Sequence, residues 1–298
     1  MSALLLLFAC LALGFCVARS GRAPQGLAPG LNWWIFTIAL PALVMDSIPR
    51  LHFERDLWFP VFAMWLVFFG GWGVAALAGA RLGWSRARTG AVALVASLGN
   101  TAFMGYPLIE LLRGREGLTV GVIADQLGTF LALSTGGMAI AAYYSGQSLH
   151  PRAMFRRIAT FPPFIGLLVG VTATLFGGWP EPIDYVLARL AATLAPLALV
   201  SIGLQFNLKL EASQIGAAAV ALGWKLAIVP ALIYVLGVSF GVDGLPLTIA
   251  VLQGAMGPMI SAAILVEQNN LDSQLAYAAL GVGVLVVMIS VPLINALL

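Results

Sequence analysis

Two amides, each followed by a proline within a long apolar segment, have the most chemistry to offer in this chain. Asn100 and Pro107 lie in Leu98-Gly99-Asn100-Thr101-Ala102-Phe103-Met104-Gly105-Tyr106-Pro107-Leu108, and Gln253 and Pro258 in Gln253-Gly254-Ala255-Met256-Gly257-Pro258. Proline removes a backbone donor and clashes with the carbonyl four residues back, so each segment is expected to break into two half-helices. A half-helix starting inside the segment exposes unpaired amides and the positive end of its dipole, equivalent to about half an elementary charge. Two such ends facing one small volume suit a carboxylate, with Asn100 and Gln253 as neutral hydrogen-bonding partners and no buried arginine required. The other reading is that the prolines only kink their helices and the amides satisfy the freed carbonyls. Two interruptions at matching positions, each with an amide and glycines, favour binding over kinking.

Ionisable residues in the apolar segments add to this. Asp125 lies about a turn and a half into the fifth segment, beside Gln126. An intramembrane acid is costly unless paired, protonated or facing water, which makes Asp125 a candidate proton-coupling or cation-binding group. Alternatively it is a first-turn acid near the membrane surface, stabilising the helix start through the dipole. Gln126 is placed to hydrogen-bond a solute or unwound backbone. Lys225, near the middle of the eighth segment, would attract an anion or pair with Asp125 or Glu267, unless it snorkels to water. Glu267, the third coupling candidate, and Glu110 fall near segment ends, where surface placement is expected, and Asp46 and Ser47 read as interfacial. His52 and His150 fall in connections without partners at metal-ligand spacing, so neither a metal nor a cofactor is expected. Cys10 and Cys16, six apart on one helix, are poorly placed for a disulfide and read as packing residues.

The elements that must position these residues are membrane-spanning helices. Of 298 residues, 61% are hydrophobic and 9% charged, against roughly 25% charged in soluble domains. Spans of about 20 residues count to ten, at 2–18, 27–48, 58–80, 89–113, 119–145, 158–178, 186–206, 214–239, 247–268 and 275–297. The first is read as a mature helix, because residues 1–18 hold no Lys or Arg where a signal peptide wants a basic start. Connections after odd-numbered spans hold nine basic residues (Arg19, Arg22, Arg81, Arg86, Arg88, Arg152, Arg156, Arg157 and Lys209), and those after even-numbered spans hold four (Arg50, Arg55, Arg113 and Arg115). That bias puts odd connections in the cytoplasm and both termini outside the cell (inner) membrane, and it accounts for the basic balance without a nucleic-acid partner.

The connection from Gly146 to Arg157 separates two halves, residues 1–145 and 158–298. Leu40-Pro41-Ala42-Leu43 in the second span and Leu194-Ala195-Pro196-Leu197 in the seventh are similar, as are the amide, glycines and proline of the fourth and ninth. With an odd number of spans per half, the second copy enters the membrane with opposite polarity. The expected fold is therefore all-α, with ten transmembrane helices in two inverted five-helix repeats and broken helices 4 and 9 meeting at mid-membrane.

Gly99-Asn100-Thr101, the short apolar run and Gly105-Tyr106-Pro107-Leu108 resemble the fourth-helix signature of the auxin efflux carrier family, which contains plant auxin exporters and bacterial permeases annotated for malonate or malate. Leu40-Pro41-Ala42-Leu43, Pro196-Leu197-Ala198-Leu199 with Ile202-Gly203-Leu204, and Ala255-Met256-Gly257-Pro258 with Glu267 and Leu271-Asp272 extend the resemblance along the chain. It implies a fold similar to that of sodium–bile acid symporters. Helices 1, 2, 6 and 7 would form a scaffold with a homodimer interface through helices 2 and 7, and helices 3–5 and 8–10 a transport domain that slides against it. It maps the crossover prolines to Pro107 and Pro258 and the substrate asparagine to Asn100. Plant members carry an Asp and Lys pair on helix three, whereas residues 58–80 here hold no charged side chain, and the long loop of plant members between the halves is here about a dozen residues.

The function these features support is secondary transport of small organic anions, auxin-like or malonate-like carboxylates, by an elevator-type shift of the crossover. Candidate substrate contacts are Asn100, Thr101, Pro107, Gln126, Gln253 and Pro258. Proton symport, sodium symport and uniport stay open. A sodium-coupled symporter of the bile acid type would use oxygen ligands from Asn100, Thr101, Gln253 and Glu267. An intramembrane enzyme is disfavoured, since neither His-Glu-x-x-His nor Gly-x-Gly-Asp occurs. A channel or a structural membrane partner fits interrupted inverted repeats less well than alternating access does.

Overall fold

The computed structural model describes residues 2–51, 55–148, 150–205 and 211–298; His52 and Lys209 lie outside them. Apart from one isolated bridge, the regular structure of the described residues is helical. Six helices are long and apolar enough to cross a membrane: Leu27–Arg50, Arg55–Leu82, Thr101–Ser145, Glu181–Leu204, Ala212–Ser239 and Ser273–Leu297. A seventh arises if Pro151–Ala159 and Pro162–Leu175, bent by 55°, form one span. The chain is thus a multi-pass membrane protein.

Six or seven long helices are fewer than the ten apolar spans expected, and the difference has local causes. Arg86–Ser97 has 12 residues and Ile260–Gln268 has nine. At 1.5 Å per residue the longer one reaches only about 18 Å, short of a hydrocarbon core of about 30 Å. Thr101–Ser145, by contrast, is 45 residues long but holds Gly114 at φ 67°, ψ −166°, a conformation open to glycine, so two arms are joined there.

Proline widens these helices instead of breaking them. The π-helical turns Ile35–Ala39, Thr101–Gly105 and Trp224–Ile228 each end two residues before a proline: Pro41, Pro107 and Pro230. Each proline lacks the N–H that the carbonyl four residues back would accept, and a wider turn accommodates the loss. The expectation that Pro107 itself separates two half-helices is therefore corrected. Helical geometry in that segment is lost at Leu98–Asn100.

The chain divides into two compact units. The first comprises Met1–Phe53, Ala102–Val122 and Arg157–Phe206. In it, the helix Ser2–Arg19 meets Leu194–Leu204 backbone to backbone: a Cβ on Gly14 would stand 2.2 Å from the Val200 carbonyl oxygen, and one on Gly203 2.3 Å from that of Leu11. Only residues without side chains permit this approach. Cys10 is buried and Cys16 exposed, so only the first is a packing residue. The Trp34 indole donates to Thr193 Oγ1 at 3.0 Å, the Trp179 indole to the Met45 carbonyl at 2.8 Å, and the Ser201 hydroxyl to Asn32 Oδ1 at 2.6 Å. Asp46, expected at the interface, is buried between Arg50 at 3.1 Å and Arg115 at 2.6 Å, and Arg50 also pairs with Asp184 at 2.5 Å.

The second unit comprises Glu54–Thr101, Ile123–Arg156 and Asn207–Leu298. Its helix Trp58–Leu82 lies so close to Arg86–Ser97 that a Cβ on Gly71 would be 2.6 Å from the Ala96 carbonyl. Asp272 ties three elements together. It caps Ser273–Leu297 by accepting from the Leu275 amide, pairs with Arg88 at 3.2 Å and accepts from Gln214 at 2.9 Å.

Candidate functional site

The second unit holds both interruptions, and they meet. After Ser97 the backbone turns extended, with Leu98 at φ −113°, ψ 112°, and Gly99 pairs antiparallel with Pro258 in the gap between Gly244–Gly254 and Ile260–Gln268. The Asn100 amide donates to the Gly257 carbonyl at 2.8 Å and the Met259 amide to the Leu98 carbonyl at 3.1 Å. Both bonds flank Pro258, so the bridge asks for no N–H at that residue. Freed backbone groups that lipid cannot satisfy are here satisfied by one another.

Polar side chains gather on this bridge. Thr101 Oγ1 donates to Asp125 Oδ1 at 2.5 Å, Gln126 Nε2 to Asp125 Oδ2 at 2.9 Å, and Gln253 Nε2 to the Thr101 carbonyl at 3.3 Å. All are buried; Asp125, at 4% exposure, is not a surface acid. It lies on the π-helical turn Ala124–Thr129, a wider geometry found often at functional sites. Asn100 is 2% exposed, and its Nδ2 has no hydrogen-bond partner among the described residues; Gln126 Oε1 is in the same condition. Buried polar atoms without partners are costly and uncommon, so these mark a place suited to a polar ligand.

Lys225 reaches the same bridge from the π-helical turn Trp224–Ile228. It is 1% exposed, and a Cβ on Gly99 would lie 2.9 Å from its Nζ. The pairings with Asp125 or Glu267 that its sequence position suggested are not among the ion pairs of the described residues. The helix Ile260–Gln268 begins directly after Met259, which places the positive end of its dipole at the bridge.

Of the residues singled out from the sequence, Asn100, Thr101, Asp125, Gln126, Lys225, Gln253 and Pro258 thus share this unit's crossover. Pro107 belongs to the first unit, near the start of Tyr106–Ile123. Glu267 is exposed and accepts from the Tyr277 hydroxyl at 2.6 Å, so it does not join the oxygen set. Among the described residues, no group of three or more His, Cys, Asp or Glu is placed to hold a metal ion. Gly283, which sequence reasoning passed over, shapes the bridge together with Gly257. A Cβ on Gly283 would stand 2.7 Å from Pro258 Cδ, and one on Gly257 3.1 Å from the Gly283 carbonyl carbon. The available signal was Gly281-Val282-Gly283, small residues in an otherwise bulky span.

Residues 1–295 match a family described as membrane transport protein. A transporter of Methanothermobacter thermautotrophicus, itself uncharacterized, is 26% identical over 284 residues, covering 94% of this chain and 92% of its own. Another, from Methanocaldococcus jannaschii, is 25% identical over 192 residues, covering 63% and 61%.

Proposed function

Because the chain belongs to the membrane transport protein family, the auxin efflux carrier family of transporters and not of enzymes, we propose that it is a secondary transporter of small organic anions whose substrate carboxylate is held at the contact of Leu98–Thr101 with Gly257–Met259. The observation that carries this reading is the buried, unpartnered Nδ2 of Asn100 beside a bridge made by two interrupted helices. A carboxylate is among the acceptors such a donor fits, and the dipole of Ile260–Gln268 favours negative charge there. Thr101, Gln126, Gln253 and Pro258 frame the contact, and Pro107 shapes the widened turn that follows it.

Asp125 is the coupling group in this proposal, since it is a buried acid bonded to Thr101 at the site itself. The frame is ten helices in two inverted repeats. Transport follows an elevator-type alternating access, the protein is a homodimer through the second and seventh helices, and both termini lie outside the inner membrane. The excess of arginines in odd-numbered connections supports that orientation.

Sodium coupling is the second reading, favoured by the buried carboxylate of Asp125 with the Thr101 hydroxyl oxygen against it. A thermal-shift screen of the purified protein against mono- and dicarboxylates, with and without sodium, tests both. Stabilisation by carboxylates in either condition supports anion transport, and stabilisation only with sodium selects the symporter. A carrier indifferent to every carboxylate in both conditions is not an organic-anion transporter.

A further inference from the structure

The Lys225 amine fills the space that a side chain on residue 99 would need. A Cβ on Gly99 would lie 2.9 Å from Nζ, 3.4 Å from Cε and 3.6 Å from the Met256 carbonyl oxygen. An ammonium has three donors and no acceptor. This one is buried and takes part in none of the ion pairs among the described residues. A charge removed from water without a counter-charge is costly, and in membrane segments such groups mark ligand paths. Asn100, the residue after Gly99, carries the unpartnered Nδ2.

Resting on the reading of the crossover as a carboxylate site, we infer that Lys225, admitted to the bridge by the missing side chain of Gly99, is the basic group by which the site selects anionic over neutral solutes. The two donors divide the work. A neutral amide donates to any carbonyl or carboxyl oxygen and reads shape, as Asn100 does. An ammonium gains most from a full negative charge and reads ionisation. Asp125, another ionisable residue at the bridge, accepts from Thr101 Oγ1 and Gln126 Nε2. The solute therefore supplies the counter-charge to Lys225. A larger residue at position 99 would push the amine aside without breaking the fold, because Nζ is the free end of a flexible chain and Gly99 is not among the residues with positive φ.

The test is equilibrium binding to the purified full-length protein of two charged and neutral pairs, malonate with malonamide and indole-3-acetate with indole-3-acetamide. The variants are Lys225→Met, Gly99→Ala, their combination and Asn100→Ala. Wild type is expected to prefer at least one acid over its amide by about tenfold or more. In Lys225→Met that acid weakens by about thirtyfold, the amide by less than about threefold, and the preference disappears. Gly99→Ala weakens the acid when Lys225 is present and adds nothing to Lys225→Met. Lys225→Gln gives the same loss should the methionine variant fail to fold. Equal weakening of acid and amide, or a preference that survives loss of the amine, overturns the inference. Its failure is distinct from failure of the underlying reading: if Asn100→Ala abolishes acid binding while Lys225→Met keeps the preference, only the role of Lys225 falls. If wild type binds none of the four probes, the carboxylate site falls and this inference with it.

Discussion

The backbone amide of Asn100 donates to the carbonyl of Gly257 at 2.8 Å while the side-chain Nδ2 of the same residue has no partner among the described residues. One residue therefore closes the gap between two interrupted helices with its main chain and offers its side chain to something else. The two roles are separable by mutation.

Asn100→Ala keeps the bridge and removes the donor. Uptake of carboxylate into liposomes is expected to fall by tenfold or more, from a lost hydrogen bond to a charged group of about 1.5–3 kcal/mol. The midpoint of thermal unfolding should stay close to that of wild type. Wild-type uptake kinetics in this variant would remove Asn100 from the site.

Asp125→Asn preserves the shape of the acid and its contact with Thr101 but cannot ionise. If Asp125 couples transport to protons, the pH dependence of initial uptake rates flattens in this variant, and the response to an imposed proton gradient disappears. A pH profile identical to wild type would assign coupling to another group. Persistence of a sodium-driven component in wild type alone would assign the acid to a cation site.

Gly283→Val tests the bridge from a distant span. Even the first carbon of its side chain would stand 2.7 Å from Pro258 Cδ, and overpacking of this kind costs about 1–3 kcal/mol. Reduced carboxylate affinity with the chain still inserted and monodisperse is the expected result. Undiminished binding would show that the position of Pro258 is immaterial to the site.

Asp46→Asn leaves Arg50 and Arg115 facing a neutral amide at a buried position. Loss of about 1–3 kcal/mol of stability is expected, read as a lower thermal midpoint. Arg115→Ala should cost less, about 1 kcal/mol or below, because its side chain is half exposed and screened. Equal effects of the two would mean that the acid is not the centre of the cluster.

Much of the crossover was legible in the residues themselves. Leu98-Gly99-Asn100 and Ala255-Met256-Gly257-Pro258 announce departures from helix because glycine, asparagine and proline in apolar runs act locally. The role of Pro107 was misread for the same reason: a missing N–H predicts a disturbed turn, but whether the turn widens or parts depends on whether another segment is there to take up the freed groups. At Pro107 the helix widens into a π turn. At Pro258 the Leu98–Asn100 backbone is present to accept and donate.

By itself the sequence determined that this chain lives in a membrane, that two of its apolar segments are interrupted, and which polar residues stand beside the interruptions. Hydropathy and backbone preference are properties of neighbours in the chain. Only the tertiary structure decided that Asn100 bonds to Gly257, that Lys225 lies against Gly99 while Glu267 faces outward to Tyr277, and that Asp46 is buried between two arginines. Those outcomes depend on the approach of segments remote in sequence, where burial and hydrogen bonding choose partners that no local spacing encodes.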